Sequence, residues 1–279
     1  MISIGLFSIN SHACAAPEVA VEVARLAEEL GYDSVWAGEH VVLPSPRDAQ
    51  SPMEPTDPIL DPVVALTYVA AHTARIRLGT GVIVLPQRNP LVLAKQLSSL
   101  DVLSGGRLIV GVGVGYLQAE LRALGVQKER GLKSSEFLSA MRSLWDDAAP
   151  SFEGRHVAFK GIDAYPRPWQ RPLPVVMGGH SPAAHERAAR LADGWFGFML
   201  KLPETAAQLE SLRAEMERAG RRLEISVTPG HLLDPQRVRD YERLGVDRLI
   251  VMPRPDVSVP ELLDFVRANS PGRLGATEA

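Results

Sequence analysis

Short apolar runs alternate with longer amphipathic stretches along nearly the whole chain. Residues 2–7 form the first run and predict a strand. Over 17–30, Val19, Val23, Leu26, Ala27 and Leu30 keep the spacing of one buried helix face, and Gly31 ends that helix. The same pattern then returns. It predicts strands over 34–37, 76–84, 108–112, 175–177, 194–198, 224–228 and 248–252, with helices over 62–73, 90–103, 133–147, 182–192, 203–219, 235–244 and 260–269. Ala16-Pro17, Asp61-Pro62, Asn89-Pro90, Ser181-Pro182, Leu202-Pro203 and Val259-Pro260 sit where helices should open. Proline suits the first helical position, whose N–H has no intrahelical partner, and Asp61, Asn89 and Ser181 are good N-caps.

Strands that alternate with helices imply a parallel sheet, because parallel strands need crossover connections. Eight such units over 279 residues match an α/β fold of the (β/α)8, or TIM, barrel kind in one domain spanning 1–279. A doubly wound open sheet is the competing layout. Two segments break the rhythm. Residues 41–60 carry Pro44, Pro46, Pro52, Pro55 and Pro58, and so long a connection reads as a lid over a site. Residues 151–173, between the fourth helix and the fifth strand, read as an excursion containing a hairpin.

Composition narrows the classes. Lys+Arg 30 against Asp+Glu 33 gives a net charge of -3, which argues against nucleic acid as a partner. The single Cys14 excludes an internal disulfide and a multi-cysteine metal centre. No run approaches the ~20 apolar residues of a membrane span. Residues 2–15 superficially resemble a secretion signal, but the first basic side chain apart from His12 is Arg25, so a cytoplasmic location is expected.

In such a barrel the ligand sits at the C-terminal strand ends. That rule selects Ser8, Asn10, Glu39, His40, Thr80, Gly81, Val82, Gly113, Gly115, Tyr116, Gly178, Gly179, His180, Ser181, Phe198, Thr228 and Arg254 before any motif is considered. Gly79, Gly81, Gly111, Gly113, Gly115, Gly178 and Gly179 crowd the same rim. Such glycines mark either tight packing or close backbone approach to a ligand, and their clustering favours a flat, extended one. Gly178-Gly179-His180-Ser181-Pro182 turns a strand into a capped helix start, a geometry suited to phosphate. The run 111–115 is not a dinucleotide fingerprint, since Tyr116 stands where its third glycine would fall. His40, beside Glu39, can move a proton near neutral pH, although a lone histidine is also common as a structural residue. No zinc or nucleophile-elbow motif is present, and His180 and His185 lack a carboxylate partner in sequence, so no metal site is expected. Lys201 and Arg254 lie where an anionic tail would reach, or are simply solvated.

The chain also resembles the luciferase-like monooxygenase superfamily, and within it the small oxidoreductases that use the deazaflavin coenzyme F420. The resemblance rests on Asp33-Ser34-Val35-Trp36 with Glu39-His40, on Leu78-Gly79-Thr80-Gly81-Val82, and on Ser104-Gly105-Gly106-Arg107 leading into 111–115. It also includes Phe152-Glu153-Gly154, Pro174-Val175-Val176-Met177-Gly178-Gly179 and Ala192-Asp193-Gly194-Trp195. It implies a TIM barrel, a flavin-type ring at the C-terminal rim and a homodimer. A third strand that bulges through a non-proline cis peptide would map to Gly81-Val82. Glu39, Thr80, Gly81, Val82, Gly113 and Gly115 would border the ring, while Gly178, Gly179, His180 and Ser181 would hold the phosphate end. His40 would take part in proton transfer, with hydride passing between F420 and a small organic substrate. Some relatives place a glutamate directly after the fourth-strand glycines. Here Val114-Gly115-Tyr116 offers none, and Glu120 is expected to lie too far along. Two other readings stay open: a monooxygenase using reduced FMN and oxygen, and a barrel that binds a flavin or deazaflavin without turnover.

Overall fold

The computed structural model describes residues 2–126 and 128–276. Its barrel strands are β1 (Ser3–Leu6), β2 (Ser34–Ala37), β3 (Arg77–Thr80), β4 (Leu108–Gly113), β5 (Val175–Gly178), β6 (Gly194–Leu200), β7 (Glu224–Pro229) and β8 (Arg248–Val251). Each pairs in parallel with the next. The last returns to the first through Ser3↔Arg248 to Leu6↔Val251. That closure makes the fold a (β/α)8 barrel and excludes the open doubly wound sheet. The helices outside are α1 (Pro17–Glu29), α2 (Pro62–Ala70), α3 (Pro90–Leu103), α4 (Arg130–Asp146), α5 (Pro182–Leu191), α6 (Leu202–Ala219), α7 (Pro235–Arg243) and α8 (Val259–Ala268).

The helix starts follow the local chemistry. Asp61 accepts from the amides of Val63 and Val64, Asn89 from those of Leu91 and Val92, and Ser181 from that of Ala184. Each cap satisfies donors that the first turn leaves without partners, and Pro follows each cap. Apolar strand residues face the helices in the main core. Inside the barrel Phe7, Trp36, Ile109, Val176, Phe196 and Ile250 form a second cluster.

The two mouths differ. At the N-terminal one, Arg248 is buried and pairs with Asp33 and Glu224, also donating to Ser226 Oγ at 3.1 Å. Its guanidinium lies 5.8 Å from the Trp36 ring. Charge paired in this way plugs that end, so a ligand is left with the opposite mouth.

Four segments depart from simple alternation. The run read as one strand over 76–84 is broken. Gly79 pairs with Ile109, but Ile83 pairs with Val112, so β3 carries one residue more than β4 across the same interval. The Gly81–Val82 peptide within this bulge is cis, as the resemblance implied. The stretch before α4 contains a short helix, Gln118–Ala123, and α4 starts at Arg130 rather than at 133. The excursion does contain an antiparallel hairpin, Ser151–Glu153 with Ala158–Lys160. The long connection after β2 is tied back by Leu60 N–H to Asn10 O (2.9 Å) and by a bridge between Ser11 and Ile59. Among the described residues no helix is long and apolar enough to cross a membrane.

Candidate active site

Beyond β2 the chain runs Gly38-Glu39-His40, and buried side chains hold this corner. Asn10 is fully buried; its Nδ2 donates to Gly38 O (2.8 Å) and Leu60 O (2.6 Å), and its Oδ1 accepts from Gly38 N (3.1 Å). Glu39, with 1% of its side chain exposed, accepts from Val84 N at 2.5 Å and from Arg88 Nε at 2.8 Å. Arg88 reaches on to Asp61 at 2.6 Å. Burial pushes the Glu39 pKa up, against the opposing pull of Arg88 and the Val84 amide. Expected against a cofactor, the Glu39 carboxylate instead fastens the end of β2 to the segment beyond the bulge.

Thr80 has a similar bracing part. It is fully buried; its Oγ1 donates to Gly111 O (2.8 Å) and accepts from Gly111 N (2.7 Å). A hydroxyl thus replaces a ladder rung where the bulge interrupts pairing. The rim glycines divide by what surrounds them. A Cβ at Gly111 would sit 1.8 Å from Thr80 O, so that glycine serves packing. Cβ atoms at Gly113 and Gly178 would meet Val82 side-chain atoms at 2.7 and 3.2 Å. These two glycines let the Val82 side chain lie between the ends of β4 and β5, directly beyond the cis peptide.

At the end of β5, Gly179 has φ +133°, a backbone region that favours glycine. Ser181 caps α5 by accepting from Ala184 N at 3.2 Å. Pro182 has no N–H, which leaves the Ala183 amide as a first-turn donor. His180 Nε2 accepts from Phe198 N at 3.1 Å, bridging the ends of β5 and β6. Partial burial pushes the His180 pKa down. A neutral ring that accepts at Nε2 carries its proton on Nδ1, so His180 offers a donor there rather than a charge. Phe7 and Phe198 (ring centroids 5.5 Å apart) and Phe7 and Phe196 (6.4 Å) join β1 to β6 in an apolar patch.

His40 does not stand alone. Its Nδ1 lies 2.9 Å from Glu120 Oε2, while Glu120 Oε1 accepts from Val41 N at 2.6 Å. The Glu120 side chain is 2% exposed and that of His40 12%. Tyr116 sets its ring edge-on to the imidazole, 6.0 Å away at 88°. Partial burial, followed by the Glu120 charge, pushes the Tyr116 pKa up, so the phenol stays protonated. Glu120, expected to lie too far along to serve as the glutamate that some relatives place after the fourth-strand glycines, is instead brought to His40 by the short helix after β4, which folds back over the mouth. Leu117, just before that helix, and Glu120 and Leu121 on it are all buried. A charged residue at helical spacing on an apolar face was the sequence signal for it. Arg88 gave no comparable signal.

His40, the Gly81–Val82 bulge, Gly113, Gly115 and the Gly178–Ser181 turn thus share one mouth, each at or just past the end of its strand. Lys201 and Arg254 are exposed beyond β6 and β8. Among the described residues no group of three or more His, Cys, Asp or Glu is placed to hold a metal ion.

Comparison with known proteins agrees with this geometry. The sequence profile of the luciferase-like monooxygenase family matches residues 4–235. An uncharacterized protein of Mycobacterium tuberculosis (strain H37Rv) is 33% identical over 257 residues, 87% of this chain and 89% of its own. An F420-dependent glucose-6-phosphate dehydrogenase of Kineococcus radiotolerans is 32% identical over 213 residues, covering 74% of this chain and 60% of that longer one. Among solved structures, an F420-dependent secondary alcohol dehydrogenase in complex with an F420–acetone adduct superposes with a TM-score of 0.81 at 16% identity, covering 98% of this chain and 99% of that one. The oxygenating constituent of 3,6-diketocamphane monooxygenase from Pseudomonas putida, in complex with FMN, gives 0.67 at 19% identity over 81% of this chain and 66% of its own. With the family profile matching residues 4–235, the chain belongs to the luciferase-like monooxygenase family and is an oxidoreductase of that family.

Proposed function

We propose that this oxidoreductase uses F420 and transfers a hydride between it and a small organic substrate, with His40 giving or taking the accompanying proton. The observation that carries this reading is the His40–Glu120 pair, its carboxylate buried, at the mouth bearing the bulged third strand. The 32% identity to an F420-dependent dehydrogenase supports the choice of cofactor. The residues present fit a flat heterocycle with an anionic tail. Gly81, Val82, Gly113 and Gly115 would line one face of the ring with main chain and the Val82 side chain. Gly178, Gly179, Ser181, the Ala183 amide and the neutral His180 would hold a phosphate with uncharged donors at the start of α5. When bound, the deazaflavin supplies the hydride donor or acceptor. The protein orients both reactants, excludes water with the connection over 41–60, and holds the exchanging proton on His40. Glu39 and Thr80 brace the backbone that would meet the ring.

A second reading, reduced FMN with oxygen, is favoured by the FMN-bound structural relative. To separate them, the purified protein is given reduced F420 with carbonyl and enone acceptors, and separately reduced FMN with oxygen. Acceptor-dependent oxidation of F420 is expected. Oxygen consumption with FMN alone would replace the first reading by the second, and binding without either turnover would favour a carrier. The protein is also read as cytoplasmic and as a homodimer. Val64 (68% exposed) and Tyr68 (43%) on α2, with Val92 (57%) and Leu103 (68%) on the neighbouring α3, offer an apolar surface for a second copy.

A further inference from the structure

We infer that Glu120 is a positioning residue that fixes which nitrogen of His40 carries the proton. This rests on the proposed role of His40, although its test does not. A carboxylate only accepts hydrogen bonds, so with Glu120 Oε2 at 2.9 Å the Nδ1 of His40 must be the donor. Neutral His40 then holds its proton on Nδ1 and keeps a lone pair on Nε2. That atom has no protein hydrogen-bond partner among the described residues, and it is the atom left to exchange a proton with substrate. When Nε2 gains a proton, the buried carboxylate stabilises the imidazolium.

The second oxygen makes the arrangement directional. Oε1 accepts from the Val41 amide at 2.6 Å, and a backbone N–H cannot become an acceptor. An amide side chain at 120 has one oxygen and one NH2 group. Its oxygen must face the Val41 N–H, because turning the NH2 there would set donor against donor in a buried place. The NH2 group then faces His40 Nδ1, which has to become the acceptor. Glu120→Gln, which keeps the shape of the side chain, should therefore move the neutral imidazole proton from Nδ1 to Nε2. An Nε2 already carrying a proton cannot take one from substrate, so proton acceptance by His40 is lost.

The test is 15N NMR of histidine-labelled protein without cofactor, at a pH where His40 is neutral, with the signal assigned by its absence in His40→Asn. Wild type is expected to show the Nδ1–H tautomer and Glu120→Gln the Nε2–H tautomer. A wild-type ring mainly in the Nε2–H form, or a variant with unchanged tautomer, overturns the inference. If Glu120→Gln does not fold, the wild-type spectrum still decides. A parallel fluorescence titration with F420 is expected to give dissociation constants for wild type and Glu120→Gln within about threefold. A loss beyond tenfold would make Glu120 a cofactor-binding residue instead. Failure of wild type to bind F420 would strike the proposed function while leaving the tautomer result standing.

Discussion

Arg88→Ala tests the buried brace beneath the site. It removes the guanidinium that faces Glu39, whose side chain is 1% exposed, and leaves the carboxyl group with the Val84 amide as its remaining donor. Removing one partner of a buried pair typically costs 3–5 kcal/mol, because the survivor is left desolvated and unpaired. The Arg88–Asp61 arm adds little, since Asp61 is 38% exposed and screened. The retained Val84 hydrogen bond and protonation of Glu39 both relieve the penalty, so a loss of about 3 kcal/mol is expected at pH 8. The pH dependence has a definite sign. Burial already holds the folded-state pKa of Glu39 above its ordinary value, with Arg88 opposing it, and without Arg88 it rises further. Such a group contributes its full stability below its unfolded pKa of roughly 4.3 and loses it as pH climbs through the folded pKa. The variant should therefore be less impaired at pH 5 than at pH 8, by about 1–2 kcal/mol. Urea unfolding of wild type and Arg88→Ala at both pH values measures this, provided the m-values agree. A loss below about 1 kcal/mol at pH 8, or equal losses at both pH values, would show that the Glu39–Arg88 pair does not hold this corner.

Gly111→Ala would place a Cβ 1.8 Å from Thr80 O and should destabilise the protein by about 2–3 kcal/mol. The same change at Gly105, where no atom lies within 4 Å, meets no clash but has φ +68° and should lose about 1 kcal/mol; thermal unfolding ranks the two, and the reverse order would refute the packing argument. Val64→Asp puts a charge on the exposed apolar face of α2. In sedimentation equilibrium it should shift a wild-type dimer toward monomer, and a monomeric wild type or an unaffected dimer would remove that face as the contact.

Much of the barrel was legible because each unit carries its own local signal. Pro62, Pro90 and Pro182 after Asp61, Asn89 and Ser181 marked helix starts that the structure keeps. The period of the apolar positions marked the buried faces. The bulge in β3 was not legible from periodicity, because Ile83 and Val84 continue the apolar run; only the resemblance located it. His40 was found by its place after β2, but its partner was not. Glu120 is 80 residues away in sequence, and the pairing depends on how a short helix folds back over the mouth, which no local pattern encodes. Glu39 and Thr80 show the opposite limit. Their positions were foreseen, yet position at the rim does not say whether a polar atom faces a ligand or its own backbone, and here both groups are satisfied internally.

The chemistry of this protein turns on which heterocycle occupies the open mouth. Its most direct test is an equilibrium fluorescence titration of purified protein with F420 and with FMN, including displacement of one by the other. Saturable binding of F420 at one per chain, undisturbed by excess FMN, is the predicted result. Tight binding of FMN with none of F420 would contradict the proposed cofactor, while leaving the barrel and its family membership as they stand.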